Sequence, residues 1–367
     1  GHGTQMAGSA LYGCLFNVLP GGGQLQLTHR LESVKILPNN AHNDPYLYGK
    51  IIEDAVDAVE LLSPLRPRVF CMSVTSSVGL ARGRPTSWSA AIDQLAYGQG
   101  ANSRLFILAA GNIRDDILPA EYPDRNDLAE CESPTQAWNA LVVGACTDKV
   151  ALLDPTYAGW QPLAPAGDLS PTSRTSTIWD RQWPVRPDVV FEGGNMAHDN
   201  VNPADAADDL QLVTTHFRPN NRMFDSFGDT SAATAQVSRM AAQILVDDPA
   251  RRPETVRGLI VHSAEWTPQM RNRLQAAANP TERRSLFRRY GWGVPSLDRA
   301  LKSAKNDATL IVEDVLLPLK RVRSVTSSRN MNLHELPWPK ARLTELAHQP
   351  VEMRVTLSYF IEPNPSA

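Results

Sequence analysis

Small and apolar residues at Met6, Ala10, Cys14 and Val18, flanked by Ala7, Leu11 and Leu15, recur at helical spacing until "LPGGG" (19–23) stops the pattern. This predicts a helix immediately after His2. "RLESVKIL" (30–37) reads as a strand, and "YGKIIEDAVDAVELL" (48–62) places Ile51, Ile52, Ala55, Val56 and Val59 on one face of an amphipathic helix. Strand and helix keep alternating: "RVFCMSV" (68–74), "SWSAAIDQLAYG" (87–98), "SRLFILAAGN" (103–112). Continuous apolar strands of this kind belong to a parallel sheet covered on both faces. From 151 to 219 Pro, Ser, Thr, Asp and Asn dominate, predicting loops with brief strands such as "PDVVF". Helices are expected again over about 230–246 and in "RPETVRGLIVHSAEW", where Pro253 sits near a helix start. The α/β region is expected to span 1–305. "ATLIVEDVLLPL" (308–319) and "VEMRVTLSYFIEP" (351–363) read as strands of a partial β-rich domain over 306–367.

With 367 residues, 42% apolar and 20% charged, the chain buries a substantial core. A net charge of −3 without a long Lys/Arg block argues against a nucleic-acid or anionic-membrane partner. No apolar run has the length of a membrane helix. Cys14, Cys71, Cys131 and Cys146 show no CxxC spacing and read as small buried hydrophobes, as in a reducing compartment. No HExxH, no Gly-x-Ser-x-Gly and no phosphate loop is present, "PGGGQ" lacking the following Gly-Lys-Ser/Thr. Neither a catalytic metal nor a cofactor is therefore expected.

Two stretches carry candidate chemistry. In "GHGTQMAG" His2 precedes a helix whose small residues permit close approach to a neighbour. In "SFGDTSAATA" Ser231 stands at a helix entrance, where unpaired N–H groups and the positive end of the helix dipole favour developing negative charge. Taken singly, His2 reads equally as a structural histidine, Ser231 as a helix cap and Asn112 of "AAGN" as a turn residue. Taken together and in this order, "GHGT", "LAAGN" and "TSAATA" resemble the subtilisin-like serine proteases, or subtilases, over about residues 1–305.

The resemblance implies a three-layer α/β/α sandwich with a mainly parallel sheet, and a serine endopeptidase of bacterial type. It makes His2 the general base, Ser231 the nucleophile and Asn112 the oxyanion donor, with Ser73, Val74 and Thr75 and Ala109, Ala110 and Gly111 flanking an extended peptide substrate. "RPDVVFEGGN" and "SPTQAWNALVVGA" resemble further family segments, the latter a strand near the pocket. Asp229 stands where most subtilases have Gly, Ala235 where Pro usually follows the nucleophile, and Thr75 where Gly often opens the specificity pocket. Asp229 is expected to point to solvent and Trp292 to anchor packing between the domains.

The triad Asp, which precedes the His in the family, has no counterpart here. Asp247, Asp248, Glu313 and Asp314 follow apolar runs but lack the family's Asp-x-Gly turn. The expectation is an N-terminal portion carrying that Asp, whose absence leaves an apolar slot and unpaired backbone in the sheet. Gly1 is no natural start, which fits. The resemblance also admits structural calcium at the acidic loop "HDNVNPADAADD" (198–209), against the ordinary reading of a solvated loop. The C-terminal stretch resembles a bacterial branch found with AAA ATPase partners, which implies a cytoplasmic enzyme. The alternative is a silent subtilase-fold module that binds peptides or scaffolds.

Overall fold

The structure is a computed structural model describing residues 1–364 other than 23, 101, 306–308, 324 and 337. Its helices are α1 (His2–Tyr12), α2 (Tyr48–Leu62), α3 (Ser87–Tyr97), α4 (Asp124–Leu128), α5 (Asp229–Asp247), α6 (Pro253–Ser263), α7 (Pro268–Ala276), α8 (Pro280–Tyr290), α9 (Leu297–Lys305) and α10 (Lys340–Leu346). The strands are β1 (Val69–Met72), β2 (Leu105–Ala109), β3 (Leu141–Thr147), β4 (Gln161–Pro162), β5 (Asp168–Leu169), β6 (Val189–Glu192), β7 (Ala197–His198), β8 (Leu212–Thr215), β9 (Phe224–Phe227), β10 (Leu319–Val322) and β11 (Val325–Ser328).

β1, β2, β3 and β6 pair in parallel in that order, and β5 runs antiparallel along the end of β3. Every residue of β2 and β3 is buried, which is why these segments read as unbroken apolar runs. Alternate side chains leave opposite faces. Leu105, Ile107, Leu141 and Val143 meet Val237, Ala241, Ile244 and Ile260 of α5 and α6. Phe106, Leu108 and Val142 meet Val56, Trp88 and Ile92 of α2 and α3 on the other face. The result is a three-layer α/β/α sandwich with a mainly parallel sheet. Helix limits follow local chemistry: at α3 the Thr86 and Ser89 side chains reciprocally bond each other's backbone N–H, and Gly98 at φ 57° ends the helix.

The extended stretch at 30–37 belongs to no strand. A segment becomes a strand only by pairing, and between it and the outer side of β1 lies a cavity of about 680 Å³ lined by Leu31, Val34, Ile36, Val56, Phe70 and Leu245. The hydrophobic pattern is present, but among the described residues no strand pairs with it. Cys71 of β1 lines this cavity and, unlike the small buried hydrophobe expected, is exposed there; desolvation by the surrounding walls still pushes its thiol up to about 11, while a hydrogen bond with Ser238 opposes the shift. All four cysteines are free.

The C-terminal strand expectations also differ. Ala308 lies outside the described residues, 309–317 forms no strand, and the antiparallel pair β10–β11 lies further along. Residues 354–361 run without a ladder across α6: Asn139 exchanges two bonds with the Ile361 backbone at 2.7 and 2.9 Å, and Arg257 stacks on Phe360 at 4.7 Å. Side chains, not a neighbouring strand, take up this backbone. Trp292 is 56% exposed, packs on Phe287, and borders a smaller hollow with Leu357 and Tyr359.

Candidate active site

The parallel sheet aims α5 at the site. Its first turns carry Thr230, Ser231, Ala232 and Ala233, all buried, and small side chains are what a helix lying against a sheet can accommodate. Gly228 caps α5, and Asp229 N–H donates to Gly193 O at 2.6 Å. The first helical bond runs from Ala232 N to Gly228 O, so the Ser231 N–H precedes the helical ladder and has no partner in it.

α1 is laid across the hairpin β8–β9. Gly8 allows the contact: a Cβ there would meet the Thr214 and Thr215 hydroxyls and lie 2.9 Å from Thr215 N. Those two hydroxyls donate to Gln5 O and Thr4 O, and Gln5 Nε2 reaches Asp225 and Ser226 on β9. The helix is thereby fixed in rotation, and its first residue, His2, extends over the N-terminus of α5.

There His2 Nε2 lies 3.1 Å from Ser231 Oγ, although 229 positions separate the two in the chain. The ring packs edge-on to Phe227 at 5.8 Å. The surrounding protein lowers the His2 pKa by desolvation, and Asp229 opposes this by attraction. A neutral imidazole beside a hydroxyl is the arrangement that removes a proton from it.

Asn112 follows β2 and its carboxamide oxygen accepts from Thr230 N at 3.1 Å and Thr230 Oγ1 at 2.6 Å. Two donors on that side fix the amide orientation and leave the NH₂ as its free end. The Asn112 carbonyl is held by Arg174 Nε at 2.9 Å. The Asn112 carboxamide is thus bonded to the residue that precedes Ser231 at the amino end of α5.

The expected substrate segments lie around this point with different local roles. Val74 packs on the core beneath α2 and α3, and Ser73 Oγ is buried without a hydrogen-bond partner. The Thr75 hydroxyl donates to Glu132. Ala109 lies within β2; Ala110 donates to Val143 O at 2.9 Å and accepts from Glu132 N at 3.0 Å. Gly111 takes φ 96°, a value that favours glycine. Glu132, fully buried at the junction of both segments, escaped the sequence reading because it became visible only through contacts 21 and 57 positions away.

Asp229 differs from expectation: it is half-buried, bonded by Thr172 and within the field of His2, and burial raises its pKa. The Thr172 hydroxyl takes up its carboxylate, and its backbone sits at φ 65°. The loop at 198–209 spends its carboxylates locally. Asp199 accepts from Val201 N and Asn202 N, Asp205 from Tyr157, Asp208 from Ser226, and Asp209 from Leu153 N and Asp154 N. Among the described residues no three His, Cys, Asp or Glu side chains converge as metal ligands. Among them, too, no helix is long and apolar enough to cross a membrane.

Known proteins were compared with this arrangement. A protein of Sinorhizobium fredii (strain NBRC 101917 / NGR234), named "Uncharacterized protein y4bN", is 28% identical over 295 residues, covering 76% of this chain and 63% of its own length. This chain therefore spans less than two thirds of that relative. Among solved structures, "Structure of self-cleaved protease domain of PatA" is similar at 18% identity and TM-score 0.40, over 70% of this chain and 66% of that one. "Crystal Structure of a Lanthipeptide Protease" is similar at 18% identity and TM-score 0.46, over 83% and 75%. Residues 1–293 match the family model described as Subtilase family, Peptidase_S8, and the chain belongs to the subtilase family.

Proposed function

We propose that this chain carries the nucleophile and general base of a serine endopeptidase. The observation that carries the reading is the 3.1 Å approach of His2 Nε2 to Ser231 Oγ at the amino end of α5. Ser231 attacks the peptide carbonyl as His2 takes its proton; His2 then returns that proton to the leaving amine. The oxyanion is received by the Asn112 amide and the Ser231 N–H. Loss of one such donor in subtilisin costs about 3 to 4 kcal/mol of transition-state stabilisation.

The His2 ring nitrogen facing away from Ser231 has no hydrogen-bonded carboxylate among the described residues, and Asp229 acts on the ring through space alone. That observation favours the second reading, a silent peptide-binding module, for this stretch by itself. We infer that the missing carboxylate arrives on an extended segment that fills the cavity between β1 and residues 30–37, as an added parallel strand. In subtilisin, losing that carboxylate lowers turnover about 3 × 10⁴-fold.

The test is a fluorophosphonate probe on the full-length protein. Labelling at Ser231 that disappears in Ser231→Ala and slows by orders of magnitude in His2→Ala supports the peptidase. Absence of labelling in well-folded material, together with retained peptide binding, supports the module.

A further inference from the structure

Resting on the peptidase reading, we propose that Glu132 selects the residue immediately before the scissile bond and that it selects lysine or arginine. Glu132 is wholly buried, yet it lies against both segments that flank the candidate site. Its N–H donates to Ala110 O at 3.0 Å, and its neighbour Ser133 exchanges two 2.9 Å backbone bonds with Ser76. The Thr75 hydroxyl donates to Oε2, and a Cβ on Gly111 would lie 2.7 Å from that same oxygen. The carboxylate therefore sits directly under the Gly111 backbone. The next residue, Asn112, is bonded to Thr230, and the next after that is the nucleophile, so a side chain entering beside Gly111 is directed at Glu132.

The charges around Glu132 Oε1 are of two kinds. Arg174 stands 3.5 Å away and is pinned by bonds to Asn112 O and Glu130 O at 2.9 and 3.1 Å. Arg114 reaches Oε1 at 3.3 Å, has no other hydrogen bond among the described residues, and its side chain is 63% exposed. An exposed partner is released to water at little cost, whereas a carboxylate buried without its cation is strongly disfavoured. Arg114 is thus a replaceable cover. A substrate lysine or arginine takes its place with charge balance kept; an apolar side chain displaces the cover and returns nothing, and an acidic one is repelled. Thr75, by holding Oε2, leaves Oε1 to the two arginines.

The experiment uses peptide aldehydes ending in Arg, Phe or Glu to compete with fluorophosphonate labelling of Ser231 in the full-length protein. The Arg aldehyde is expected to protect at a concentration about 100-fold below that of the Phe aldehyde, with the Glu aldehyde weakest. Glu132→Gln should bring Arg and Phe within about tenfold of one another while labelling persists. Should Glu132→Gln fail to fold by circular dichroism, the exposed-site variant Arg114→Ala decides: it should strengthen Arg protection, because the competing cation is gone. Preference for Phe or Glu in the wild type, or an Arg114→Ala variant with weakened Arg protection, overturns the proposal. Wild-type protein that takes no label overturns the peptidase reading itself, and this inference with it.

Discussion

At φ 65°, Asp229 holds its backbone in the left-handed region, where a residue with a Cβ is strained by about 1 kcal/mol or more. Most subtilases resemble one another in having Gly there, which takes this conformation freely. Asp229 also keeps a half-buried carboxyl whose pKa is raised, chiefly by desolvation and against the hydrogen bond from Thr172. A raised carboxyl pKa means that the folded state holds the proton more tightly than the unfolded chain. That contribution to stability is complete below the unfolded value of 3.8 and is lost as pH climbs through the folded value. Asp229→Gly is accordingly expected to stabilise the protein by about 1 kcal/mol at neutral pH, and by less at pH 3.5, read by urea melts at both. The same substitution has a separate kinetic signature. Desolvation lowers the His2 pKa and Asp229 partly restores it, so removing Asp229 lowers it further. The acid limb of the kcat/KM profile, where His2 loses its proton to become a base, is expected to move to lower pH. A limb that stays in place or moves upward would refute the coupling.

At the scale of elements, α1 shows how one small residue carries a site. Gly8→Ala brings a helix-propensity gain of about 1 kcal/mol, but the added Cβ meets a backbone nitrogen that cannot rotate aside. The overpacking term of about 1–3 kcal/mol should win, lowering the melting temperature. Because α1 must shift off β8, and His2 shifts with it, the rate of fluorophosphonate labelling should fall more than stability alone explains. Ala10→Gly, which weakens the helix on its accessible side without a clash, is the control. Which elements were readable follows from similar local physics. α2, α3, α5 and α6 announce themselves by apolar spacing, and β2 and β3 by unbroken apolar runs. α7 and α8 do not, since α8 is built of "PTERRSLFRRY" and buries two arginines, Arg288 on the carbonyl of Ser176 and Arg289 on Asp127. Burial of paired charges leaves no hydrophobic signature. His2, Asn112 and Ser231 could be named as candidates because motif order survives in the chain, whereas Glu132 could not, because nothing local distinguishes a glutamate under a glycine from one in solvent.

For the molecule as a whole, the outer edge of β1 is where the sheet can accept a further strand. β1 is bonded along β2 on one side, and on the other lies the 680 Å³ cavity, walled by apolar side chains of α2, α5 and the 30–37 stretch. A groove of this size, open to solvent, leaves its apolar walls and the outward amides of the sheet edge to water. On the reading proposed above, an extended segment entering there would contribute on three counts: it would pair with β1, give 30–37 a partner and so a strand, and bring a carboxylate toward His2. These gains are tied to the same event, so they should appear together. Comparing residues 1–367 with the same chain carrying such an added segment, hydrogen exchange should slow at amides in both 69–72 and 30–37 by at least about tenfold, with a higher melting temperature. Cys71, whose thiol faces the cavity, supplies an independent reading. Prolonged iodoacetamide treatment at pH 9 should alkylate it in 1–367, slowly because its pKa is pushed up to about 11, and should leave it untouched once the slot is filled. Protection gained at 69–72 with Cys71 still reactive would mean that a segment docks on the edge without entering the cavity, and equal exchange in the two forms would remove the added strand from the fold altogether.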